Sequence, residues 1–316
     1  MKARQQGAAL LTAMIIVTLV AALAGAMAWR QQRAVQVEAG ERARVQGAWM
    51  LQGALDWARL ILREDMVSNM SKQNSDHLGE PWAVPLAETR LSTFLAAKDG
   101  GGSSDDEGPE AFLSGRIDDA QARYNLRNLT ATTPVPPLEQ RTLARICEFA
   151  GVPGGTADLI IRQLRAALAT PLADDAPLAP ATIAQLSWFG LPPEVVAKLE
   201  PLLTLLPVTT PVNLNTAPRE VIAALFDDMD LASAERLVQA RQSSPLINPT
   251  DAGKYLPSGV VVTAERASAT SNYFYVTGRL RLDQHVLVQR SLLQRSGLNV
   301  LVLDRQRLSE TATSAP

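Results

Sequence analysis

The chain has a single cysteine, Cys147, and two histidines, His77 and His285, among its 316 residues. One cysteine closes no intrachain disulfide and builds no cysteine-ligated zinc site. Two histidines leave little room for histidine-driven catalysis. Aromatic residues make up 5% of the chain, and neither sign of charge dominates: 30 Lys and Arg stand against 32 Asp and Glu. Proteins that hold nucleic acid by its phosphates usually carry a basic excess, and this chain has none. Proline is missing before Pro81. Apolar residues are plentiful at 47%, enough for a core and too many for a wholly disordered chain. The length suggests two domains.

No charge falls between Ala8 and Trp29. At ~1.5 Å per residue a helix over that stretch spans roughly 33 Å, against about 30 Å for a bilayer core. Two positive residues, Lys2 and Arg4, precede it, and two readings follow. Ala26-Met27-Ala28 fits the small-x-small cleavage site of a secretory signal peptide. Against that, the apolar run exceeds the ~7–15 residues of a signal core and no strong breaker ends it. The second reading is a type IV pilin-like leader, cut at Gly7-Ala8, whose apolar segment stays as a membrane helix. Arg30, Arg33, Arg42 and Arg44 follow the span, so basic flanks alone do not fix its orientation.

Beyond the apolar stretch, helical sequence runs to about Met70. Ala48, Leu51, Leu55, Ala58 and Leu62 alternate in spacings of three and four and predict an apolar stripe, widened by Trp49, Trp57 and Ile61. A helix from Ala8 to Met70 would be roughly 95 Å long, its lower part in lipid and its upper part on a globular domain. A plain anchor followed by a separate soluble helix is the simpler alternative.

Residues 71–110 read as mixed, with a flexible acidic loop from Asp99 to Pro109. Strands are expected at Phe112–Ile117 and Arg123–Leu126. Helices divided by proline and glycine follow, near Leu138–Ala150, Thr156–Ala169, Thr182–Trp188, Pro193–Leu205, Pro218–Phe226 and Leu231–Arg241. Strand signals resume near Val260. Phe274, Val276, Gly278, Leu280 and Leu282 form the inner face of an alternating strand. Asp283-Gln284 reads as a turn, Val286, Val288 and Leu292 as a second strand, and Leu298–Leu303 as a third. The tail from Ser309 reads as disordered. Strands before 130 and after 260 must pair to make a useful sheet, since an isolated hairpin is marginal. The expected architecture is α+β, with a large all-α domain inserted. Its parts are a leader (1–7), a transmembrane segment (8–29), a first sheet-forming part (30–132), the helical insert (133–257), a second sheet-forming part (258–308) and a tail (309–316).

Nothing in the residues favours an enzyme. Ser75-Asp76-His77 joins three catalytic types, but sequence neighbours rarely converge as a triad, and a polar loop is the plainer reading. His285 reads as solvated, and Cys147, in Ile146-Cys147-Glu148-Phe149, as a small buried hydrophobe. No phosphate loop, metal spacing or nucleophile elbow occurs. Trp49, Trp57, Trp82 and Trp188 read as core or partner-facing. The segments Pro218–Phe226 and Leu231–Arg241 look like a helix-hairpin-helix unit, with Thr216 as N-cap. Such units often bind DNA, which leaves a periplasmic DNA-binding or uptake protein as the alternative function. Here the hairpin is Asp227-Asp228-Met229-Asp230, whose carboxylates repel phosphate. Gly151-Val152-Pro153 and Gly190-Leu191-Pro192 open further helical stretches, as in a stack of hairpins used for packing.

Three features carry a family resemblance: the Gly7-Ala8 junction with its membrane helix, the segment Gly115-Arg116-Ile117-Asp118-Asp119-Ala120-Gln121-Ala122-Arg123-Tyr124-Asn125-Leu126, and Val212-Asn213-Leu214-Asn215-Thr216-Ala217-Pro218 opening a helix. With them the chain resembles type II secretion system protein K, the largest minor pseudopilin, over nearly its whole length. The resemblance implies a pilin-like fold, with the long N-terminal helix packed on a small antiparallel sheet. It also implies cleavage and N-methylation by the prepilin peptidase and a single-pass place in the bacterial inner membrane, with the globular part in the periplasm. The implied partners are minor pseudopilins I and J at the pseudopilus tip, with H and the major pseudopilin G; nucleic acid is not among them. Most pilin-like subunits carry glutamate at the fifth mature position, which here is Thr12; type K members lack it. A topmost subunit has no neighbour above to pair such a charge, and threonine can satisfy its hydroxyl on its own helix. Members of the family often bind calcium in the helical domain. This chain offers only Asp174 and Asp175 there, fewer carboxylates than a calcium site usually gathers.

Overall fold

The computed structural model describes residues 6–70, 75–91, 110–257, 259–282 and 285–308. The expected acidic loop, the Asp283-Gln284 turn and the tail lie outside the described residues, as do the first five residues of the leader.

Helix α1 runs without a break over Gln6–Met70. Its alanine- and leucine-rich sequence has no proline to remove a hydrogen bond, and the i,i+4 and i,i+3 ion pairs Glu38–Arg42 and Glu41–Arg44 add a few tenths of a kcal/mol each. Leu51, Leu55, Ala58 and Leu62 of its upper part are buried against the sheet, as their spacing predicts. Trp49 does not join them: it is 73% exposed on the opposite side.

The sheet has five strands, all antiparallel, in the order β1-β2-β7-β8-β9. Strand β1 is Leu86–Arg90 and β2 is Ala111–Asp119. Strands β3 (Tyr124–Asn125), β4 (Leu203–Thr204), β5 (Val212–Asn213) and β6 (Ala267–Ser268) belong to two short parallel pairs, β3 with β4 and β5 with β6. Strands β7 (Tyr273–Leu282), β8 (His285–Ser296) and β9 (Asn299–Leu308) complete the sheet. Phe274, Val276, Leu280 and Leu282 are buried on the predicted face of β7. Opposite Gly278 in register stands Gly115, where a Cβ would lie 2.9 Å from the Thr277 carbonyl oxygen. Only glycine fits there without shifting backbone.

Since β2 and β7 are neighbours, everything between Asp119 and Tyr273 is an excursion from one edge of a ladder back to its partner. That excursion carries α2 (Pro137–Phe149), α3 (Thr156–Ala167), α4 (Pro193–Leu199), α5 (Arg219–Leu225) and α6 (Leu231–Ser243). Its core gathers residues from Tyr124 to Ala269, among them Leu129, Leu143, Ile160, Leu186 and Ile222. A second core, of Leu55, Leu62, Trp82, Phe274 and Leu293, joins α1 to the sheet. Gly190 closes the short Ile183–Phe189 helix at φ 84°, the left-handed position that ends a helix cheaply only as glycine.

Five expectations change. The Pro193–Leu205 helix ends at Leu199, because Leu203 and Thr204 pair with Tyr124 and Asn125. Thr182–Trp188 is a 3-10 helix over Ile183–Phe189, its capping box closed by Gln185. No strand forms at Val260 among the described residues; the next is β6. Strand β1 was not expected, and β9 runs five residues further, to Leu308.

Candidate functional site: an outward helix face and a buried polar junction

The lower part of α1 is exposed on every side from Ala9 to Ala39, and α1 is the one helix among the described residues long and apolar enough to cross a membrane. Gly7 and Ala8 lie at its start, and Thr12 on its exposed surface. Nearby, Thr18 donates its hydroxyl to the Ile15 carbonyl at 2.9 Å, the back-bonding by which threonine satisfies its hydroxyl on its own helix.

Above that, α1 has two apolar faces. Leu51, Leu55, Ala58 and Leu62 point inward. Val45, Trp49, Leu60 and Val67 recur at spacings that return to one line on the helix, nearly opposite, and all four are exposed. Beside Leu60, a groove of about 490 Å³ is lined by Asp56, Arg59, Arg63 and, from β9 and its turn, Leu298 and Leu301. Large apolar side chains repeated along one exposed helix face are the signature of a helix that packs on another.

The two sequence motifs converge inside the protein. Asp119, at the end of β2, is buried, with no cation paired to it among the described residues. Its Oδ2 accepts from Asn213 Nδ2 at 2.9 Å, Thr216 Oγ1 at 2.6 Å and Ser271 Oγ at 2.6 Å; its Oδ1 accepts from the Gln121 amide at 2.8 Å. Burial pushes its carboxyl upward, and the hydroxyl donors oppose that. Asn125 is likewise saturated, donating to the Val208 carbonyl and Thr210 Oγ1 and accepting from the Arg127 and Leu206 amides. Thr216 is therefore no N-cap: its hydroxyl serves Asp119, and α5 opens after Pro218.

A second polar cluster adjoins this one. Asn213 Nδ2 also donates to the Asp76 carbonyl oxygen at 3.0 Å, and the Ser271 amide donates to Asp76 Oδ2 at 2.7 Å. Arg295 of β8 reaches Asp65 of α1 at 2.8 Å and Asp76 at 2.5 Å. Ser75-Asp76-His77 lies in a polar loop, as expected, but a packed one in which Asp76 is fully buried. Nor is it a triad: Asp76 is taken by Arg295, and His77 Nδ1 accepts from the Gly79 amide at 3.1 Å. Sequence reasoning missed this cluster, because Arg295 and Asp76 stand 219 residues apart. Together the two clusters form one hydrogen-bonded chain from the helical excursion through the sheet to α1.

The remaining candidates are dispersed. Asp174 and Asp175 are exposed on a turn, apart from the three-acid group of Asp65, Asp76 and Glu80 found among the described residues. Burial pushes the Cys147 thiol up to about 12, which makes it inert at neutral pH. In the helix-hairpin-helix turn, Asp227 pairs with Arg141 at 2.7 Å, Met229 is buried and Asp230 caps α6 by accepting from the Ser233 amide at 2.7 Å. Trp82 is buried against Phe274, Trp57 is half-buried and Trp188 is exposed. His285 is exposed, as expected.

A long apolar helix packed through its upper half on a small antiparallel sheet defines a pilin-like fold, here enlarged by a helical insert. The family model described as "Type II secretion system (T2SS), protein K" matches residues 212–269, the stretch that supplies Asn213 and Thr216 of the junction. Relatives named type II secretion system protein K share 28% identity in Pseudomonas aeruginosa, over 93% of this chain and 90% of that one. In Klebsiella pneumoniae the identity is 28% over 97% of each chain, and in Pectobacterium carotovorum 26% over 97% of each. A chain of the crystal structure of the GspK-GspI-GspJ complex from enterotoxigenic Escherichia coli superposes with a TM-score of 0.61 at 19% identity, covering 86% of this chain and 99% of that one. The resemblance to type II secretion system protein K, a secretion-system component, thus holds along nearly the whole chain.

Proposed function

We propose that this protein is a minor pseudopilin that joins minor pseudopilins I and J at the tip of the pseudopilus and helps start its assembly, with H and the major pseudopilin G as further partners. It works by association and not by catalysis. In this reading the prepilin peptidase cuts between Gly7 and Ala8, and α1 stays in the inner membrane with the body of the protein in the periplasm. Thr12, in place of the pilin glutamate, spares the topmost subunit an unpaired charge in lipid.

The observation that carries the reading is the double-faced upper half of α1. Its inner face is used up by the fold, and Val45, Trp49, Leu60 and Val67 remain for partner helices. A helical insert on the side of the sheet would cap further stacking. The acidic hairpin of the helix-hairpin-helix unit is occupied by Arg141 and by α6, which speaks against phosphate binding. The test is capture of I and J from membranes by the full chain. Trp49→Asp with Leu60→Asp should lower it at least tenfold, and capture unchanged by both substitutions would contradict the proposal.

A further inference from the structure

Asp65, Asp76 and Glu80 place carboxylate oxygens within 4.8 Å of one another, and one guanidinium, Arg295, is paired with two of them. Three carboxylates gathered out of solvent against one cation leave an excess of negative charge where water cannot screen it. We propose that this cluster is a proton-dependent latch: in its closed form one carboxyl carries a proton, and the end of α1 is held to the 75–80 segment, β8 and the junction.

The hydrogen bonds say which carboxyl takes the proton. Glu80 accepts from the His77 amide at 2.8 Å, from Trp82 Nε1 at 2.7 Å and from Asn69 Nδ2 at 3.3 Å. Asp76 accepts from Arg295 and the Ser271 amide. The bonds to Asp76 oppose the burial that pushes its carboxyl up. Asp65 has Arg295 at 2.8 Å and only a long bond of 3.4 Å from Asn69, so the proton rests there. The facing groups are accounted for element by element. Arg295 comes from β8; Asp76, His77 and Glu80 come from the 75–80 segment; Arg63 and Glu64 line the same cleft from α1; Asp119 lies behind Asp76. Arg295 Nε–H meets no acceptor, so that donor does nothing to offset the excess of negative charge.

Burial first, then the charges of Glu80 and Asp76, push Asp65 up to about 7, with Arg295 opposing. An opened, solvated Asp65 returns toward 3.8 and releases its proton. Opening is therefore suppressed at low pH, becomes easier as pH rises, and levels off above about 7.

The test is hydrogen exchange of the full chain in detergent, read at the amides of Leu62–Asn69. Protection factors should fall by up to about tenfold per pH unit between pH about 5 and about 7 and then flatten. Asp65→Asn should flatten the whole profile, whereas Asp56→Asn, on the exposed side of the same helix, should keep the wild-type slope. A flat wild-type profile, or the full slope retained in Asp65→Asn, overturns the latch. Should Asp65→Asn fail to fold, the carboxyl carbon resonance of Asp65 in the wild type decides. Titration above pH about 6 supports the proposal, and titration below it overturns the proposal.

Discussion

One helix, α1, presents apolar side chains in two opposite directions over the same few turns, and their fates differ. Leu51, Leu55 and Leu62 are 4%, 3% and 0% exposed, whereas Val45, Trp49, Leu60 and Val67 stand in solvent. Hydrophobicity alone does not separate the two sets; the side of the helix does. The inner set stabilises this chain by about 1.5–3 kcal/mol per fully buried side chain. The outer set adds little to the stability of the chain alone, and on the proposed function it gains its value when another helix covers it. The same division runs along the helix axis, since between Ala9 and Gln46 no residue of α1 is fully buried.

Substitutions can break this contrast. The largest effect should come from Arg295→Met, which removes the cation that ties α1 to the sheet and leaves Asp65 and Asp76 buried without it. A loss of about 3–5 kcal/mol is expected in chemical denaturation, largest at neutral pH where more of the cluster is ionised. Next, Leu62→Ala empties a fully buried site between α1 and the sheet and should cost about 2–5 kcal/mol in the same assay. Smallest of the three is Trp49→Ala, expected to change stability by no more than about 0.5 kcal/mol while still weakening partner capture. If Trp49→Ala destabilised the subunit as much as Leu62→Ala, the two faces would not be distinct.

Much of this was legible in the sequence. The uncharged run, the 3–4 spacing of Leu51 to Leu62 and the alternation through Phe274–Leu282 gave α1 and β7 directly, because each pattern is long enough to outweigh local ambiguity. Proline and glycine marked most helix ends between 137 and 243. Strand β1 escaped because Glu88, Thr89 and Arg90 carry little alternation at an exposed edge. Leu202 to Leu206 reads equally as buried helix or buried strand, and only pairing with Tyr124–Asn125 decides it. The polar junction was half legible. Asp119 and Asn213 stood in the motifs that carried the resemblance, but nothing local says that they meet. Ser75-Asp76-His77 is the polar loop that was read, but the burial of Asp76 was not legible, since its partner Arg295 comes from β8. Thr216 misled for a similar reason: a cap is a local bond, and a buried aspartate from β2 outcompeted it.

The central claim is that the apolar stretch of α1 remains in the mature protein and works with the rest of the helix as an assembly element. The most direct measurement is the N-terminal residue of the mature chain, by mass spectrometry, from cells with and without prepilin peptidase. The account predicts a methylated Ala8 that is lost when the peptidase is absent. A mature chain beginning at Trp29 would contradict it, since the membrane helix and Thr12 would then be gone before assembly began.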